Sequence, residues 1–283
     1  MNNIPTITIG MPVFNGGEDL RRILDSLRSQ TFTDFILLIS DNASTDDTAG
    51  ICQEYAATDK RIRYVRQPRN IGAEANFQYV FQIAESEYFM WAAADDTRSA
   101  NFLELNLSFL QKNPDFVGST CPVRFHGRHF DEIAMGDAPL VDDDPYQRLV
   151  LFFRAWHANG RFYSLFRRES VAGWPHLDDC FLGSDWTLIT YLALKGKLNR
   201  VNGGWVELGL SGVSNTTDIF TRYRQGIIDW VLPFHRLTQD TWQFMADASL
   251  AQCTIITIQL ARLNLQAFFT QFRIMVRKRK VQM

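Results

Sequence analysis

In the first hundred positions, runs of consecutive apolar residues alternate with stretches in which apolar residues recur every three or four places. Thr6 to Val13 is a strand candidate closed by Pro12 and an Asn15-Gly16-Gly17 turn, after which Leu20, Ile23, Leu24 and Leu27 fall at helical spacing. Phe35 to Ile39 is an apolar run. It is continuous, as in strands buried on both faces, and it ends in Ser40-Asp41-Asn42-Ala43-Ser44-Thr45-Asp46-Asp47, cap and turn formers ahead of another helix. Arg61 to Arg66 predicts a third strand. Gly72 to Glu85 predicts a helix with Phe77, Val80, Phe81 and Ala84 on one face, leading into the run Phe89 to Ala94, which stops at Asp95 and Asp96. Strands alternating with helices imply right-handed crossovers and a mostly parallel α/β sheet.

The second half is less regular. Asn101 to Lys112 reads as a helix, Phe116 to Phe125 as one strand, Asp131 to Pro145 as a long acidic loop, and Tyr163 to Arg167 as a further strand. Ser184 to Leu194 predicts a helix that Gly196 stops, and beyond Thr221 the pattern is helical and amphipathic to the end. The expected divisions are 1–98 and 99–215, two halves of one domain, and 216–283, a helical extension.

A chain of 283 residues with 46% hydrophobic content has ample material for a full core. A net charge of −2 argues against a nucleic-acid partner, since such proteins carry a basic excess. The charge is uneven: Gln271 to Met283 holds Arg273, Arg277, Lys278, Arg279 and Lys280 and no acid. Cys52, Cys121, Cys180 and Cys253 lack the paired spacing of disulfide frameworks or zinc sites, which with the absence of a signal-like start leads to an expectation of the cytoplasm. Ala251 to Phe269 is interrupted by Gln252, Gln259, Arg262, Asn264 and Gln266, so a membrane-spanning helix is not expected.

Three polar groups each follow an expected strand: Pro12 to Asn15, Asp41, and Asp95 with Asp96. In a parallel sheet these converge on the carboxyl edge, where open α/β sheets bind ligands. Two carboxylates there suit a hard divalent cation that shares its coordination with water and substrate phosphates, which points to a nucleotide-diphosphate site. His126 and His129 have no third ligand beside them, and neither a G-x-G-x-x-G nor a P-loop is present.

Five segments in order complete the reading: Gly10-Met11-Pro12-Val13-Phe14-Asn15, Ser40 to Asp46, Arg69-Asn70-Ile71-Gly72, Ala94-Asp95-Asp96, and Ser184-Asp185-Trp186. Together, from about Thr6 to Val201, they resemble a family 2 glycosyltransferase. The resemblance implies a GT-A type, Rossmann-like fold and an inverting transfer of sugar from a nucleotide-sugar donor to a hydroxyl. It places Pro12, Phe14, Asn15, Asp41, Arg69, Asn70, Ala94 and Asp95 at the nucleotide, with Asp41 accepting from the base edge. It also makes Asp95 and Asp96 the holders of Mg²⁺ or Mn²⁺ and Asp185 the catalytic base. Where relatives often have an earlier acid the chain has Ala93, and Leu208-Gly209-Leu210-Ser211-Gly212 contains no counterpart of a late histidine.

Trp186 and Trp174 are candidate platforms for an acceptor sugar, whose C–H faces suit aromatic rings. UDP or dTDP is the expected donor nucleotide and a glycan or lipid-linked molecule of surface polysaccharide synthesis the expected acceptor. The basic, aromatic-rich tail suits peripheral contact with the inner face of a membrane, and it is compatible with oligomer formation. The rival readings are a catalytically silent nucleotide-sugar binder and a nucleotidyltransferase, the latter needing a basic glycine-rich loop that the chain lacks.

Overall fold

The computed structural model describes residues 4–128, 131–176, 179, 181–209 and 219–281, the last five of these in backbone only. His129, Cys180, Leu210, Ser211 and Gly212 lie outside the described residues, as do the side chains of Arg277 to Lys280. The elements run β1 (Ile7–Val13), α1 (Leu20–Arg28), β2 (Phe35–Asp41), α2 (Thr48–Thr58), β3 (Ile62–Arg66), α3 (Ala73–Gln82), β4 (Tyr88–Trp91), β5 (Thr97–Arg98), α4 (Phe102–Lys112), β6 (Phe116–Thr120) and β7 (Val123–Phe125). They continue with α5 (Glu132–Met135), α6 (Pro145–Phe152), β8 (Leu165–Arg167), α7 (Arg168–Ala172), α8 (Ser184–Lys195), β9 (Lys197–Arg200), β10 (Val206–Leu208), α9 (Ile219–Tyr223), α10 (Ile228–Val231), α11 (His235–Phe244) and α12 (Leu250–Val281).

Seven strands form one sheet in the order β3-β2-β1-β4-β8-β6-β9, parallel throughout except where β8 runs against β4 and β6. Every residue of β1 is buried, as in a central strand covered on both faces, and its polar member Thr8 donates its hydroxyl to Ser86 Oγ at 2.8 Å. Gly10 lets α3 approach the sheet: a Cβ there would stand 2.7 Å from Val80 and 2.9 Å from Phe89. One apolar layer, with Leu20, Ile23, Leu24 and Leu107, covers one face, and another, with Val80, Leu149, Leu188 and Leu260, covers the opposite face. The sheet continues past residue 98, because β4 bonds to β8.

Two expectations for the second half are corrected. The run Phe116 to Phe125 is two strands, not one: β6 joins the large sheet, while β7 pairs with β10 in a small sheet completed by β5. Pro122 between them has no N–H to continue the ladder. The acidic stretch 131–145 is not a plain loop, since Asp131 caps α5 by accepting from Ala134 N–H and Asp144 caps α6 by accepting from Tyr146 N–H. Within it Asp137 is buried and pairs with Arg200 at 3.1 Å.

The helical extension packs onto the sheet domain. Along α12, Ile256, Leu260, Leu263 and Ala267 are buried, and Gln259 donates to Val150 O of α6. No helix among the described residues is long and apolar enough to cross a membrane.

Candidate active site

The carboxyl ends of β1, β2, β3 and β4 lie along one edge and open on a cleft of about 1270 Å³. Its lining includes Pro12, Phe14, Asn42 and Asn70 from the segments after β1, β2 and β3, Ala93, Ala94 and Asp95 after β4, and Trp156, Asn159, Trp174 and Asp185 from the second half of the chain. The segments after β2 and β3 are stitched by amides: Asn42 Nδ2 donates to Asn70 Oδ1 and to Gly72 O, each at 3.0 Å, and Asn42 Oδ1 accepts from Ile71 N–H at 2.8 Å. Gly72, at a φ of 91°, turns the chain into α3, which Asn76 ties to β2 by donating to Ser40 O at 2.8 Å.

The expected nucleotide residues divide. Pro12, Phe14, Asn70, Ala94 and Asp95 line the cleft, with Phe14 48% exposed. Asn15, Asp41 and Arg69 do not. Asn15 is held at a φ of 51° and clasps the neighbouring loop, its backbone N–H donating to Ser44 Oγ and its Oδ1 accepting from Thr45 N–H. Asp41 is wholly buried. Its Oδ1 accepts from Ser44 N–H at 2.8 Å and its Oδ2 from the Tyr64 hydroxyl at 2.7 Å, so it braces the lining from behind where a contact with the base edge was expected.

The acid pair also separates. Asp95 lies in the cleft, packed on Gly209, where a Cβ would come within 2.4 Å of its Oδ2. Asp96 faces inward, 2% exposed, accepting from Gly209 N–H at 3.0 Å. Burial pushes its carboxyl up to about 7, against the opposing pull of the buried Arg98 guanidinium. The expectation of two carboxylates facing a metal is therefore corrected to one. Asp95, together with the phosphates of a bound nucleotide, fits the sparse protein ligation usual for Mg²⁺. No group of three His, Cys, Asp or Glu suited to a metal occurs among the described residues. His126 is engaged elsewhere, its Nδ1 lying 2.7 Å from Glu207 Oε1.

Asp185 stands in the first turn of α8, after Gly183 in the left-handed region at a φ of 89°. Its Oδ2 accepts from Asn159 Nδ2 at 3.1 Å. Burial raises its pKa above the ordinary carboxylate range, while the Asn159 amide and the backbone N–H groups of Trp186 and Asp185 pull it down. The arrangement suits a carboxylate that takes a proton and returns to the ionised form.

Trp186 borders the cleft but offers little free ring face. It is 6% exposed, stacked on His157 with ring centroids 4.3 Å apart, and Phe234 lies beyond at 6.3 Å. Trp174 also lines the cleft, and so does Trp156, 40% exposed, a residue outside the expected set. Asn159 and Trp156 come from the irregular segment before β8; only the density of ring and amide side chains in Trp156-His157-Ala158-Asn159 marks it in the sequence.

Comparison with known proteins adds the decisive observation: the model of the family described as "Glycosyl transferase family 2" matches residues 8–173, more than half of the chain. The chain belongs to glycosyl transferase family 2. EpsE of Bacillus subtilis is 28% identical over 148 residues, 51% of this chain and 51% of that protein. Chondroitin synthase of Escherichia coli is 30% identical over 114 residues, 40% of this chain and 16% of that protein. The chain thus spans about half or less of the length of these curated relatives. Among solved structures, S. aureus TarS 1–349 in complex with UDP-GlcNAc superposes with a TM-score of 0.65 at 14% identity, covering 90% of this chain and 71% of that one. The mannosyltransferase PcManGT from Pyrobaculum calidifontis, in complex with GDP-Man and Mn²⁺, gives 0.57 at 15% identity, covering 92% and 75%. At these identities the likeness establishes the fold, the GT-A type expected for the family.

Proposed function

We propose that the protein transfers a sugar, with inversion, from a nucleotide-diphosphate sugar to a hydroxyl of a glycan or lipid-linked acceptor. One observation supports the reading: Asp185 lines the same cleft as Pro12, Phe14, Asn70 and Asp95. The nucleotide lies against Pro12, Phe14 and Asn70 and directs the anomeric carbon toward Asp185. Asp185 takes the proton of the acceptor hydroxyl as its oxygen bonds to the anomeric carbon, and the bond from that carbon to the diphosphate breaks on the other face. A Mg²⁺ or Mn²⁺ at Asp95 would supply charge neutralisation for the departing diphosphate. Trp156 and Trp174 stand where rings can support the acceptor sugar.

Neighbours crystallised with UDP-GlcNAc and with GDP-Man support a nucleotide-sugar donor, and the Mn²⁺ in the second supports a divalent ion. UDP and dTDP are the donor nucleotides we favour, and surface polysaccharide synthesis at an inner membrane face is the setting, with α12 as the membrane contact. A silent nucleotide-sugar binder is the second reading, favoured by Ala93 and by Asp95 being the one member of the acid pair that lines the cleft. Thermal-shift titration with UDP, dTDP, GDP and CDP, with and without Mn²⁺, tests the donor site, because a ligand of the folded state raises stability with its concentration over Kd. Slow hydrolysis of the matching nucleotide-sugar without acceptor marks an enzyme; stabilisation without hydrolysis marks a binder.

A further inference from the structure

The cleft is rich in acids. Glu74, Asp95, Asp179 and Asp185 line it, and among the described residues Arg222 is the one guanidinium on its walls, with no lysine. Of the two histidines there, His157 is held by the carbonyls of Ala158 and Phe152, and His176 pairs with Asp240 at 3.2 Å. A diphosphate entering such a cleft needs positive charge, and Asp95 alone gives a metal little protein ligation.

Arg222 reaches the cleft from α9, anchored by the buried Phe220. It meets Glu74 in the first turn of α3: Glu74 Oε1 accepts from Arg222 Nη2 at 3.1 Å and from the Tyr223 hydroxyl at 3.2 Å. The two elements are 148 residues apart in sequence, so the contact straps the C-terminal part of the chain to the start of α3.

Resting on the reading of this cleft as the donor site, we propose that Glu74 and Arg222 form an exchangeable latch, in which Arg222 leaves Glu74 to bind the donor's diphosphate. The side chains of the pair are 43% and 33% exposed, and ion pairs so open to water are weak. A diphosphate offers the planar guanidinium two parallel acceptors and a larger charge than a carboxylate does. Glu74 keeps the guanidinium oriented at the cleft until then, and Tyr223 remains to hold α9 against α3.

Calorimetric titration of the full chain with UDP and GDP, and with UMP and GMP as controls, tests this in EDTA and again with Mn²⁺. Arg222→Gln should weaken the diphosphates about tenfold or more, as for loss of a charge-assisted bidentate contact, and leave the monophosphates nearly unchanged. Arg222→Lys should recover part of the loss. Glu74→Gln removes the competitor and should tighten diphosphate binding severalfold. A merely structural strap gives the opposite sign, with Glu74→Gln weakening binding as Arg222→Gln does and mono- and diphosphates suffering alike; that result, or an Arg222→Gln effect under about twofold, overturns the latch. Should Arg222→Gln not fold, Arg222→Lys and Glu74→Gln decide by the same signs. If the wild-type protein binds none of the four nucleotides, the donor site itself is refuted along with the latch.

Discussion

Asn159 donates a 3.1 Å hydrogen bond to Oδ2 of Asp185 across 26 residues of sequence, and among the described residues it is the one side-chain contact that favours the ionised carboxylate where burial disfavours it. The pair joins the irregular segment before β8 to the start of α8.

The base role follows through pH. Asp185→Asn should lower turnover by about 10²-fold or more while nucleotide affinity holds. Asn159→Ala removes a bond that lowers the Asp185 pKa, so that pKa should rise further. Because the base must be ionised, the acid limb of kcat/KM should then move to higher pH. A variant with the wild-type limb would show that Asn159 does not set the protonation of Asp185.

The legibility of this site in the sequence follows the type of element. β2 and β4 carry continuous apolar runs, and β1 closes on Pro12 and a glycine turn, so the convergence of Pro12 and Asp95 at one edge could be read directly. Which way each side chain of a neighbouring pair points could not. Asp95 and Asp96 are adjacent letters, yet one reaches the cleft and the other lies 2% exposed over Arg98, a difference decided by Gly209, 113 residues from Asp96. Trp186 likewise follows Asp185 but turns into the core, whereas Trp156 is brought to the cleft by a segment with no periodicity. Antiparallel β8 and the break at Pro122 were hidden for a similar reason, since short strands carry too few residues to state their partners.

The separated acids predict separate phenotypes. Asp95→Asn should abolish the Mn²⁺-dependent part of UDP binding with little change in melting temperature. Asp96, raised to about 7 from 3.8, keeps its proton in the folded state where the unfolded chain has lost it. Its contribution to stability therefore declines as pH rises from about 4 to about 7 and is level above that. Asp96→Asn lacks that slope, so wild type should lose stability relative to the variant across the same window. Urea denaturation at pH 4.5, 6 and 8, values of ~pH chosen to bracket the window, measures it; a constant difference would contradict the buried, protonatable carboxyl.

The two tryptophans should part company too. Trp156→Ala removes an exposed ring and should raise the acceptor KM with stability nearly intact. Trp186→Ala opens a cavity beside His157 and Phe152 and should cost about 3–5 kcal/mol, seen as a lowered melting temperature with KM unchanged in the surviving fold. Equal KM effects from both would return Trp186 to the acceptor site.

The last prediction concerns α12, which shows two apolar stripes. Ile256, Leu260, Leu263 and Ala267 face the body of the protein, while Ile255, Ile258, Leu265, Phe269, Phe272 and Val276 recur at steps of three and four with Arg262 among them and are 37 to 63% exposed. From Leu250 to Val281 the helix contains Arg262, Arg273, Arg277, Lys278, Arg279 and Lys280 and no acid. Pairing with a second copy along that stripe would set basic residues against basic residues, whereas an anionic lipid surface gains roughly 1 kcal/mol for each nearby one, with the apolar side chains adding burial. The intact protein should pellet with vesicles rich in phosphatidylglycerol at low salt, less so at high salt, and not with neutral vesicles. Replacing Phe269 and Phe272 with Glu should abolish pelleting while leaving melting temperature and donor hydrolysis as they were, since both side chains point away from the body. If the protein stays in the supernatant at either salt, and the double variant instead shifts the elution volume on size exclusion, the stripe belongs to self-assembly and a lipid-linked acceptor loses its main support.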